Sequence, residues 1–239
     1  MKAIILAGGK GTRLLPYTKV IPKPLMPIGD MPILEVLVHQ VKRAGVDEII
    51  LSVGHLASLL QAFFQDGTQL GTHIRYSYEN IPLGTVGPLT IIPGLDQTFL
   101  VMNGDVLTDL EFSDLIAFHR ESQALVTIAM HKRQVKIDLG VIQLASNSQN
   151  VIGYIEKPTY DYQVSMGIYV FEPAALQYIP KDTYYDFPTL ILELIKQGQK
   201  VAGYPFNGYW QDLGRPDDYE RAIQDFDSLR STFLKEVPA

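Results

Sequence analysis

The sequence contains no cysteine, which excludes disulfides, thiolate metal sites and a cysteine nucleophile. It also contains no apolar run near the roughly 20 residues that a membrane-spanning helix needs. The first apolar stretch reaches Gly8 after a handful of residues, which is too short for the core of a signal peptide. We therefore expect a cytoplasmic protein that has no membrane partner.

Positive charge is also in the minority. The chain has 20 Lys and Arg residues against 26 Asp and Glu residues, and its formal net charge is −6. A nucleic-acid backbone or an anionic membrane would require a basic face, so we expect neither as a partner. A small anionic substrate is compatible with this balance if Lys, Arg and a metal dominate the charge inside a cleft.

The sequence has no internal repeat and no low-complexity linker, which points to one domain. With 239 residues and 46% hydrophobic content, the chain can bury a real core. Strand and helix patterns alternate as in βαβ units, which predicts an α/β fold with a mixed sheet and helices on both faces. The predicted elements are, in chain order, a strand Ala3–Ala7, a helix near Pro32–Ala44, a strand Glu48–Val53, a helix Leu56–Gln65, strands His73–Tyr78 and Phe99–Asn103, a helix from Phe112, a β-rich stretch Ala124–Phe171, and helices near Glu172–Tyr178, Phe187–Gln197 and Pro216 to about Ser228.

The most informative segment is the start of the chain, where a short apolar strand pattern leads directly into a glycine-rich loop. Glycines leave backbone N–H groups free to approach a polyphosphate closely, and flanking cations can add positive charge at its edge. The residues in these roles are Gly8, Gly9, Gly11, Arg13 and Lys23. This combination predicts a nucleotide-binding loop.

Two common nucleotide-binding motifs do not fit this loop. The dinucleotide fingerprint needs G-x-G-x-x-G at the start of a helix, whereas Pro16, Pro22 and Pro24 prevent a continuous helix here. The phosphate loop of NTPases needs Gly-Lys followed by Ser or Thr, but Lys10 is followed by Gly11. The loop therefore belongs to another class of nucleotide site.

The run Leu6-Ala-Gly-Gly-Lys-Gly-Thr-Arg-Leu14, together with Pro22-Lys-Pro24, resembles the signature of the sugar-1-phosphate nucleotidyltransferases. These enzymes join an NTP to a sugar 1-phosphate and release pyrophosphate. The likeness extends from Met1 to about Asp225, and it is greatest to the members that resemble mannose-1-phosphate guanylyltransferase.

The resemblance implies a Rossmann-like fold of the GT-A type with a mixed, mainly parallel sheet. It implies a single catalytic domain over residues 1–239, with a nucleotide-binding half at about 1–110 and a sugar-phosphate-binding half at about 111–228. Some members carry a C-terminal β-helix. The residues after about Phe226 are too few for one, so we expect none.

Two carboxylates are candidate metal ligands. Asp105 comes just after an apolar strand pattern, and Asp212 lies in a glycine-flanked turn far downstream. An NTP and a sugar phosphate bring together about four and two negative charges, and two like unit charges ~4 Å apart repel by roughly 4 kcal/mol at an effective dielectric constant of 20. We therefore expect Mg²⁺, which prefers oxygen ligands, and predict Asp105 and Asp212 as its ligands, in agreement with the family positions. Asp109 is an alternative to Asp105, although it suits a turn into the next helix better.

The resemblance assigns the catalytic and nucleotide-binding positions. Arg13 is expected to hold the β,γ-phosphates and Lys23 to bridge phosphates near the reacting centre, and with Asp105 they form the catalytic set. Because the attacking sugar phosphate is already ionised, no general base is needed. The expected nucleotide-binding residues are Leu6, Ala7, Gly8, Gly9, Gly11, Thr12, Glu79, Pro82, Leu83, Gly84 and Thr85.

The segment Tyr78-Glu-Asn-Ile-Pro-Leu-Gly-Thr-Val-Gly-Pro88 resembles the loop that recognises the nucleobase in this family. Guanine offers two adjacent N–H donors that Glu79 could accept together, whereas uracil and thymine offer one donor between two acceptors. This difference favours GTP as the nucleotide. Transfer that depends on UTP or dTTP stays open as an alternative.

On the sugar side, a strand pattern ends in Glu156-Lys157-Pro158 and resembles the family motif whose carboxylate accepts sugar hydroxyls and whose lysine meets the phosphate. The expected sugar-phosphate-binding residues are Asn103, Gly140, Glu156, Lys157 and Gly167. Leu139 and Met166 depart from the residues common in relatives. The substrate is therefore expected among mannose 1-phosphate and related hexose or heptose 1-phosphates.

Two other functions stay open at this point. A catalytically silent regulatory subunit that binds nucleotide sugars would be signalled by the loss of catalytic residue types, and all of them are present. A sugar transferase would need an Asp-x-Asp motif, which the segment from Asp105 to Asp109 does not provide. We therefore expect an enzyme, leave assembly into a homo-oligomer open, and assign no role to the five histidines.

Overall fold

The structure is a computed structural model that describes residues 1–235; residues 236–239 of the predicted domain lie outside the described part. It has a seven-stranded central sheet and three two-stranded sheets. The strands are β1 (Lys2–Leu6), β2 (Pro27–Ile28), β3 (Met31–Pro32), β4 (Glu48–Val53), β5 (Ile74–Tyr78), β6 (Phe99–Asn103), β7 (Val106–Thr108), β8 (Val126–Lys136), β9 (Val141–Leu144), β10 (Val151–Ile155), β11 (Thr159–Phe171), β12 (Val201–Phe206) and β13 (Trp210–Asp212). The α-helices are α1 (Ile33–Arg43), α2 (Ala57–Phe64), α3 (Phe112–Ser122), α4 (Phe187–Lys196) and α5 (Pro216–Phe233).

The central sheet has the strand order β12-β8-β11-β6-β1-β4-β5. β1 pairs in parallel with β4 and β6, β4 pairs in parallel with β5, and β8 pairs in parallel with β12. β11 is antiparallel to both of its neighbours, β6 and β8. All strands of this sheet except β11 therefore run in one direction, which confirms the predicted mixed, mainly parallel α/β sheet.

Alternating side chains along the strands supply apolar residues to both faces of the sheet. In β1, Ile4 packs into one core with α4, whereas Ile5 packs into a second core with α1, α2 and α3. Both side chains are fully buried, and burial of each such side chain stabilises the fold by about 1.5–3 kcal/mol. Helices therefore cover both faces, as predicted, and the strands between them are nearly continuous apolar runs.

A third apolar cluster joins α5 to the beginning of α1. The rings of Phe226 and Phe233 in α5 stack with their centroids 5.8 Å apart. Ile33 of α1, Leu107 of β7 and Leu213 after β13 belong to the same cluster. This packing brings the β13 segment back onto the amino-terminal part of the chain.

β8 and β11 continue as a long antiparallel ribbon past their pairing with β12 and β6. The register of the ribbon is irregular between Ser165 and Tyr169, where Gly167 has a φ angle of +73°. A two-stranded hairpin of β9 and β10 lies between the two ribbon strands in the chain. These elements make up the β-rich stretch predicted from the sequence.

Most predicted elements are confirmed, and β4 and β6 have the predicted bounds. The predicted helix near 172–178 is a 3-10 helix, Pro173–Tyr178. The last helix continues beyond the predicted end near Ser228 because Phe233 packs into the third apolar cluster. β7, β12 and β13 lie in segments for which no element is predicted, and residues 1–235 contain no β-helix.

Within residues 1–235, no helix has both the length and the apolar character that crossing a membrane requires.

Candidate active site

A cleft of about 700 Å³ opens at the carboxyl ends of β1 and β6. Ligands of open α/β sheets bind at this edge. The predicted site residues that line the cleft are Leu6, Ala7, Gly8, Gly9, Gly11, Thr12, Arg13, Lys23, Glu79, Pro82, Gly84, Thr85, Asn103 and Asp105. The fold therefore brings the glycine-rich loop and the segment 78–88, called the base loop after its predicted role, to one place.

Close contacts shape the glycine-rich loop. A Cβ atom at Gly8 would lie 3.0 Å from Oε1 of Glu79, whereas a Cβ atom at Gly9 would meet nothing within 4 Å. Gly11 has a φ angle of +59°, which favours glycine, and its carbonyl oxygen accepts a hydrogen bond of 2.8 Å from Oγ1 of Thr18. The loop is therefore fixed by packing at both ends and open at Gly9.

Lys23 is buried although it carries a charge. It begins a short 3-10 turn, Lys23–Leu25, and its ammonium group donates a hydrogen bond to Oδ2 of Asp105. The same nitrogen lies 3.9 Å from Oδ1 of Asp212. Because a buried charge must be paired to be stable, the two carboxylates hold this lysine at the cleft.

Asp105 and Asp212 come together because β7 pairs antiparallel with β13. Asp212 lies opposite Val106 in this ladder, and the N–H of Leu213 donates a hydrogen bond of 3.0 Å to the carbonyl oxygen of Asp105. Leu213 is fully buried and anchors this end of the ladder. The register thus places two carboxylates that are distant in sequence within reach of one ammonium group.

Burial raises the pKa of Asp212, and the nearby charge of Asp105 raises it further, against the opposing effect of Lys23 and Arg13. Such a shift is typical of carboxylates that share a site. Oxygen donors from one or two carboxylates are what Mg²⁺ prefers in proteins, so the donor set of Asp105 and Asp212 fits a divalent cation. Residues 1–235 contain no group of three or more His, Cys, Asp or Glu side chains that could hold a metal by itself.

Asp109, the alternative to Asp105, lies at the opposite end of the same ladder. Its Oδ1 accepts a hydrogen bond of 2.7 Å from the N–H of Tyr209, and its own N–H donates one of 3.1 Å to the carbonyl oxygen of Tyr209. The cleft lining includes Asp105 but not Asp109. Asp109 therefore has a structural role in the connection between β7 and β13.

Glu79 lines the cleft, and both of its carboxylate oxygens have partners. Oε1 accepts a hydrogen bond of 3.2 Å from the hydroxyl of Ser52, and Oε2 accepts one of 3.1 Å from the N–H of Leu83. Burial raises the pKa of Glu79. The carboxylate thus holds the base loop against β4, a role that the sequence pattern did not indicate, while Leu83 is buried and does not line the cleft.

Thr85 connects the base loop to the start of α4. Its N–H and its hydroxyl both donate to Oδ1 of Asp186, over 3.0 Å and 3.2 Å. Its Oγ1 also accepts a hydrogen bond of 2.9 Å from the N–H of Phe187. Beside it, Gly84 has a φ angle of +80°, and a Cβ atom there would lie 2.6 Å from the carbonyl oxygen of Tyr185. The loop is therefore fixed to α4 by both hydrogen bonds and close packing.

On the predicted sugar side, the structure places Asn103 and Gly167 together. A Cβ atom at Gly167 would lie 2.5 Å from Nδ2 of Asn103. The neighbouring carbonyl of Met166 accepts a hydrogen bond of 3.0 Å from Nε1 of Trp210 in β13. The irregular part of β11 is therefore tied to the strand that carries Asp212.

Glu156, Lys157 and Gly140 lie outside the lining of the cleft, as do Gly167 and Asp212. Glu156 and Lys157 are exposed after β10, with their charged groups 3.8 Å apart. Oε2 of Glu156 accepts a hydrogen bond of 3.1 Å from the hydroxyl of Tyr154, and a Cβ atom at Gly140 would clash with the same hydroxyl. The structure therefore groups these three predicted sugar residues around Tyr154 and not around the glycine-rich loop.

The amino-acid sequence of the chain matches a known protein family over most of its length. Residues 2–228 match the family model described as nucleotidyl transferase. The chain belongs to the nucleotidyl transferase family. The predicted resemblance to nucleotidyltransferases is therefore confirmed.

Curated relatives of this nucleotidyl transferase chain are longer than the chain itself. The UTP–glucose-1-phosphate uridylyltransferase of Synechocystis sp. is 36% identical to it over 244 residues, which cover 94% of the chain and 63% of the relative. The mannose-1-phosphate guanylyltransferase of Mycobacterium tuberculosis is 34% identical over 233 residues, which cover 93% of the chain and 64% of the relative. The chain thus spans a little less than two thirds of the length of these relatives.

Solved structures share the nucleotidyl transferase fold. HddC from Yersinia pseudotuberculosis superposes with a TM-score of 0.72 and 26% sequence identity, and the match covers 94% of this chain and 99% of that one. The structure of HddC complexed with GMP-PN gives a TM-score of 0.71 and 25% identity with the same coverage. The fold is therefore the same over nearly the whole of both chains.

His55, Tyr184 and Gly214 also line the cleft of this nucleotidyl transferase chain, although no sequence pattern assigned them a role. His55 donates its backbone N–H to the carbonyl oxygen of Gly8 over 3.2 Å. Its position two residues after the end of β4 was the available signal, since ligand sites follow the ends of parallel strands. Tyr184 and Gly214 lie in connections that carry no local pattern.

Proposed function

We propose that the protein is an active sugar-1-phosphate nucleotidyltransferase, which converts an NTP and a sugar 1-phosphate into an NDP-sugar and pyrophosphate. The observation that carries the proposal is that Arg13, Lys23 and Asp105 line one cleft, while a second carboxylate, that of Asp212, lies 3.9 Å from the Lys23 ammonium group. The presence of all four groups favours an enzyme over a regulatory subunit that only binds nucleotide sugars. We expect it to act in the cytoplasm.

The proposed chemistry needs alignment and charge stabilisation more than covalent help from the protein. The N–H groups of the glycine-rich loop and the guanidinium of Arg13 bind the phosphates that will leave. Lys23 stabilises negative charge near the α-phosphorus. An ionised oxygen of the sugar phosphate attacks the α-phosphorus, and the bond between that phosphorus and the pyrophosphate oxygen breaks, so no side chain has to remove a proton.

We further propose that Asp105 and Asp212 hold Mg²⁺, with water and substrate phosphates as its remaining ligands. When bound, Mg²⁺ neutralises phosphate charge and orients the reacting groups. Support for this assignment comes from the raised pKa of Asp212, which has a second carboxylate beside it. A cation between the two carboxylates would relieve their mutual repulsion.

We infer that GTP is the preferred nucleotide. Support comes from Glu79, whose carboxylate lines the cleft, and from the similarity to a mannose-1-phosphate guanylyltransferase and to a protein solved in complex with GMP-PN. The uridylyltransferase relative has a similar identity to the chain, so UTP is the competing nucleotide. The remaining predicted nucleotide-binding residues of the two loops are proposed to contact the NTP.

For the second substrate we propose mannose 1-phosphate or a related hexose or heptose 1-phosphate. Asn103 and Gly167 are the proposed contacts at the cleft, because Gly167 packs directly on the Asn103 amide. Gly140, Glu156 and Lys157 are proposed to complete the sugar-phosphate site from the hairpin of β9 and β10. A carboxylate and an ammonium group are the types of side chain that bind sugar hydroxyls and phosphate.

The test is pyrophosphate release in the presence of Mg²⁺ from GTP, UTP, dTTP, CTP and ATP, each combined with mannose, glucose, N-acetylglucosamine and heptose 1-phosphates. The proposal predicts release that depends on the sugar phosphate, highest for GTP with one of the mannose-type substrates. If release is highest with UTP, the proposed reaction still holds, but UTP and not GTP is the preferred nucleotide. Binding of a nucleotide sugar without release from any pair would support the regulatory subunit.

A further inference from the structure

Gly214 lies directly against the guanidinium group of Arg13. A Cβ atom at residue 214 would be 3.0 Å from each of Cζ, Nη1 and Nη2 of Arg13. The equal distances mean that the flat face of the guanidinium lies over this position. Ordinary contacts between carbon atoms are about 3.5–4.0 Å, so a methyl group at residue 214 would require the guanidinium to shift by a few tenths of an ångström.

The backbone at Gly214 has little freedom to adjust. Leu213 is fully buried, and its N–H is bonded to the carbonyl oxygen of Asp105. On the other side, Pro216 begins α5. The φ angle of Gly214 lies outside the left-handed region, so alanine would fit the backbone conformation, and the three heavy atoms nearest to its methyl group would all belong to the Arg13 guanidinium.

The side chain of Arg13, by contrast, is exposed. Its backbone is fixed by the next residue, because Leu14 is buried and its N–H donates a hydrogen bond of 2.9 Å to the carbonyl oxygen of Gly11. The carboxylates of Asp105 and Asp212 have Lys23 as their ion-pair partner in the described part of the chain. The charge of Arg13 acts on Asp212 without forming such a pair, and Gly214 leaves the space in which the guanidinium lies flat.

We propose that Gly214 is a positioning residue for Arg13. Its bare α-carbon lets the guanidinium lie flat along the wall of the cleft, where it can meet the phosphates of a bound NTP. A methyl group at residue 214 would displace the end of the flexible arginine side chain and leave the backbone in place. This inference rests on the proposed function, since it concerns the group that is proposed to hold the phosphates.

The test is a double-mutant cycle that measures the Kd of GTP and of UTP with Mg²⁺, by calorimetry, for wild type, Gly214→Ala, Arg13→Ala and the double variant. Gly214→Ala is expected to weaken NTP binding about tenfold while the melting temperature stays within about 2 °C of wild type, the shift of a sub-kcal change in a domain of this size. In the Arg13→Ala background, Gly214→Ala is expected to change the Kd less than about twofold, because the group it displaces is gone.

Two further variants sharpen the cycle. Gly153→Ala is the matched control, because a Cβ atom there also meets the end of a flexible side chain, that of Gln143, but outside the cleft lining; its Kd should equal that of wild type. Arg13→Lys is the conservative variant. Its ammonium group is not planar, so it does not need the flat contact with Gly214. Gly214→Ala should therefore cost clearly less affinity in the Arg13→Lys background than in wild type.

Equal losses in the wild-type and Arg13→Ala backgrounds would overturn the positioning role, and so would an unchanged Kd in Gly214→Ala. Pyrophosphate release by the wild type is recorded in parallel and tests the proposed function separately. Binding of NTP without release from any sugar phosphate would contradict the function and leave the binding cycle to decide the role of Gly214. A wild type that binds no NTP would contradict both.

Discussion

Oδ1 of Asp109 accepts a hydrogen bond of 2.7 Å from the backbone N–H of Tyr209. This contact closes one end of the β7–β13 ladder, and the other end carries the hydrogen bond from Leu213 to Asp105. Each strand has three residues, and such short pairs have little stability of their own. A side-chain contact at one end therefore helps to set the distance between the two carboxylates at the other.

Replacing Asp109 with alanine should lower the free energy of unfolding by about 1–2 kcal/mol, because the Tyr209 N–H loses a charge-assisted partner. It should also lower turnover, since β13 carries Asp212. Urea denaturation and a pyrophosphate assay check the two effects. Asp96→Ala, an exposed aspartate on a surface connection, serves as the control and should match wild type in both assays.

Replacing Asp212 with asparagine should stabilise the metal-free protein while it abolishes activity. Burial and the charge of Asp105 raise the pKa of the Asp212 carboxyl, so its ionised form is less stable in the folded protein than in the unfolded chain. The amide removes that cost, and we expect a small rise in melting temperature, because the Asp212 side chain is 42% exposed and solvent screens part of the effect. A melting temperature below that of wild type at neutral pH would contradict the account.

The raised pKa of Asp212 also determines how the stabilisation by Asp212→Asn depends on pH. Between the ordinary aspartate pKa of 3.8 and the raised folded value, the folded state binds a proton that the unfolded state does not. The contribution of the Asp212 carboxyl to the free energy of unfolding therefore falls as the pH rises from 3.8 to the raised folded pKa. The stabilisation by Asp212→Asn should accordingly be largest at neutral pH and disappear near pH 3.8, which thermal melts at a series of pH values can follow.

Replacing Thr85 with valine should weaken nucleotide binding through the base loop. The change keeps the shape but removes the hydroxyl that bonds Asp186 and the N–H of Phe187, at a cost of about 1–2 kcal/mol in unfolding free energy. We expect the KM for the NTP to rise with a smaller change in kcat. Thr72→Val, at a half-buried threonine outside the cleft, should leave KM unchanged; a fall in kcat alone would argue against a role in the loop.

Replacing Glu79 with glutamine should reduce the preference for GTP over UTP. A carboxylate can accept both adjacent guanine donors, whereas an amide offers one acceptor oxygen, and one hydrogen bond to a charged group contributes about 1.5–3 kcal/mol. We therefore expect the ratio of kcat/KM for GTP to that for UTP to fall about tenfold or more. An unchanged ratio with a raised KM for both nucleotides would mean that Glu79 only holds the loop through Ser52 and Leu83.

The sequence predicted the central sheet well for a physical reason. β4 and β6 are apolar runs buried on both faces, and their bounds were predicted without error. β7 and β13 escaped prediction because three residues show no period, and their pairing depends on contacts such as that between Asp109 and Tyr209, which join distant parts of the chain. The end of α5 was misplaced for a similar reason, since Phe233 extends the helix by packing on residues remote in sequence.

The residues of the site also divide into those with a local sequence signal and those without one. Arg13, Lys23 and the glycines were recognisable because they share one short segment, and the structure gathers them at the cleft. Gly214 was not, because its contribution is the space it leaves beside Arg13, which no local pattern encodes. Glu79 was predicted as a cleft residue, but its bonds to Ser52 and Leu83 depend on the pairing of β4 with β5.

Asp105 and Asp212 are proposed to act together in a catalytic site. The initial rate of pyrophosphate release from GTP and mannose 1-phosphate with Mg²⁺ tests this joint role for wild type, Asp105→Asn and Asp212→Asn, with Asp96→Asn as control. We expect sugar-dependent release by wild type and control, reduced about 10²–10³-fold or more in each site variant. Release by both site variants at the wild-type rate would show that the two carboxylates are not catalytic.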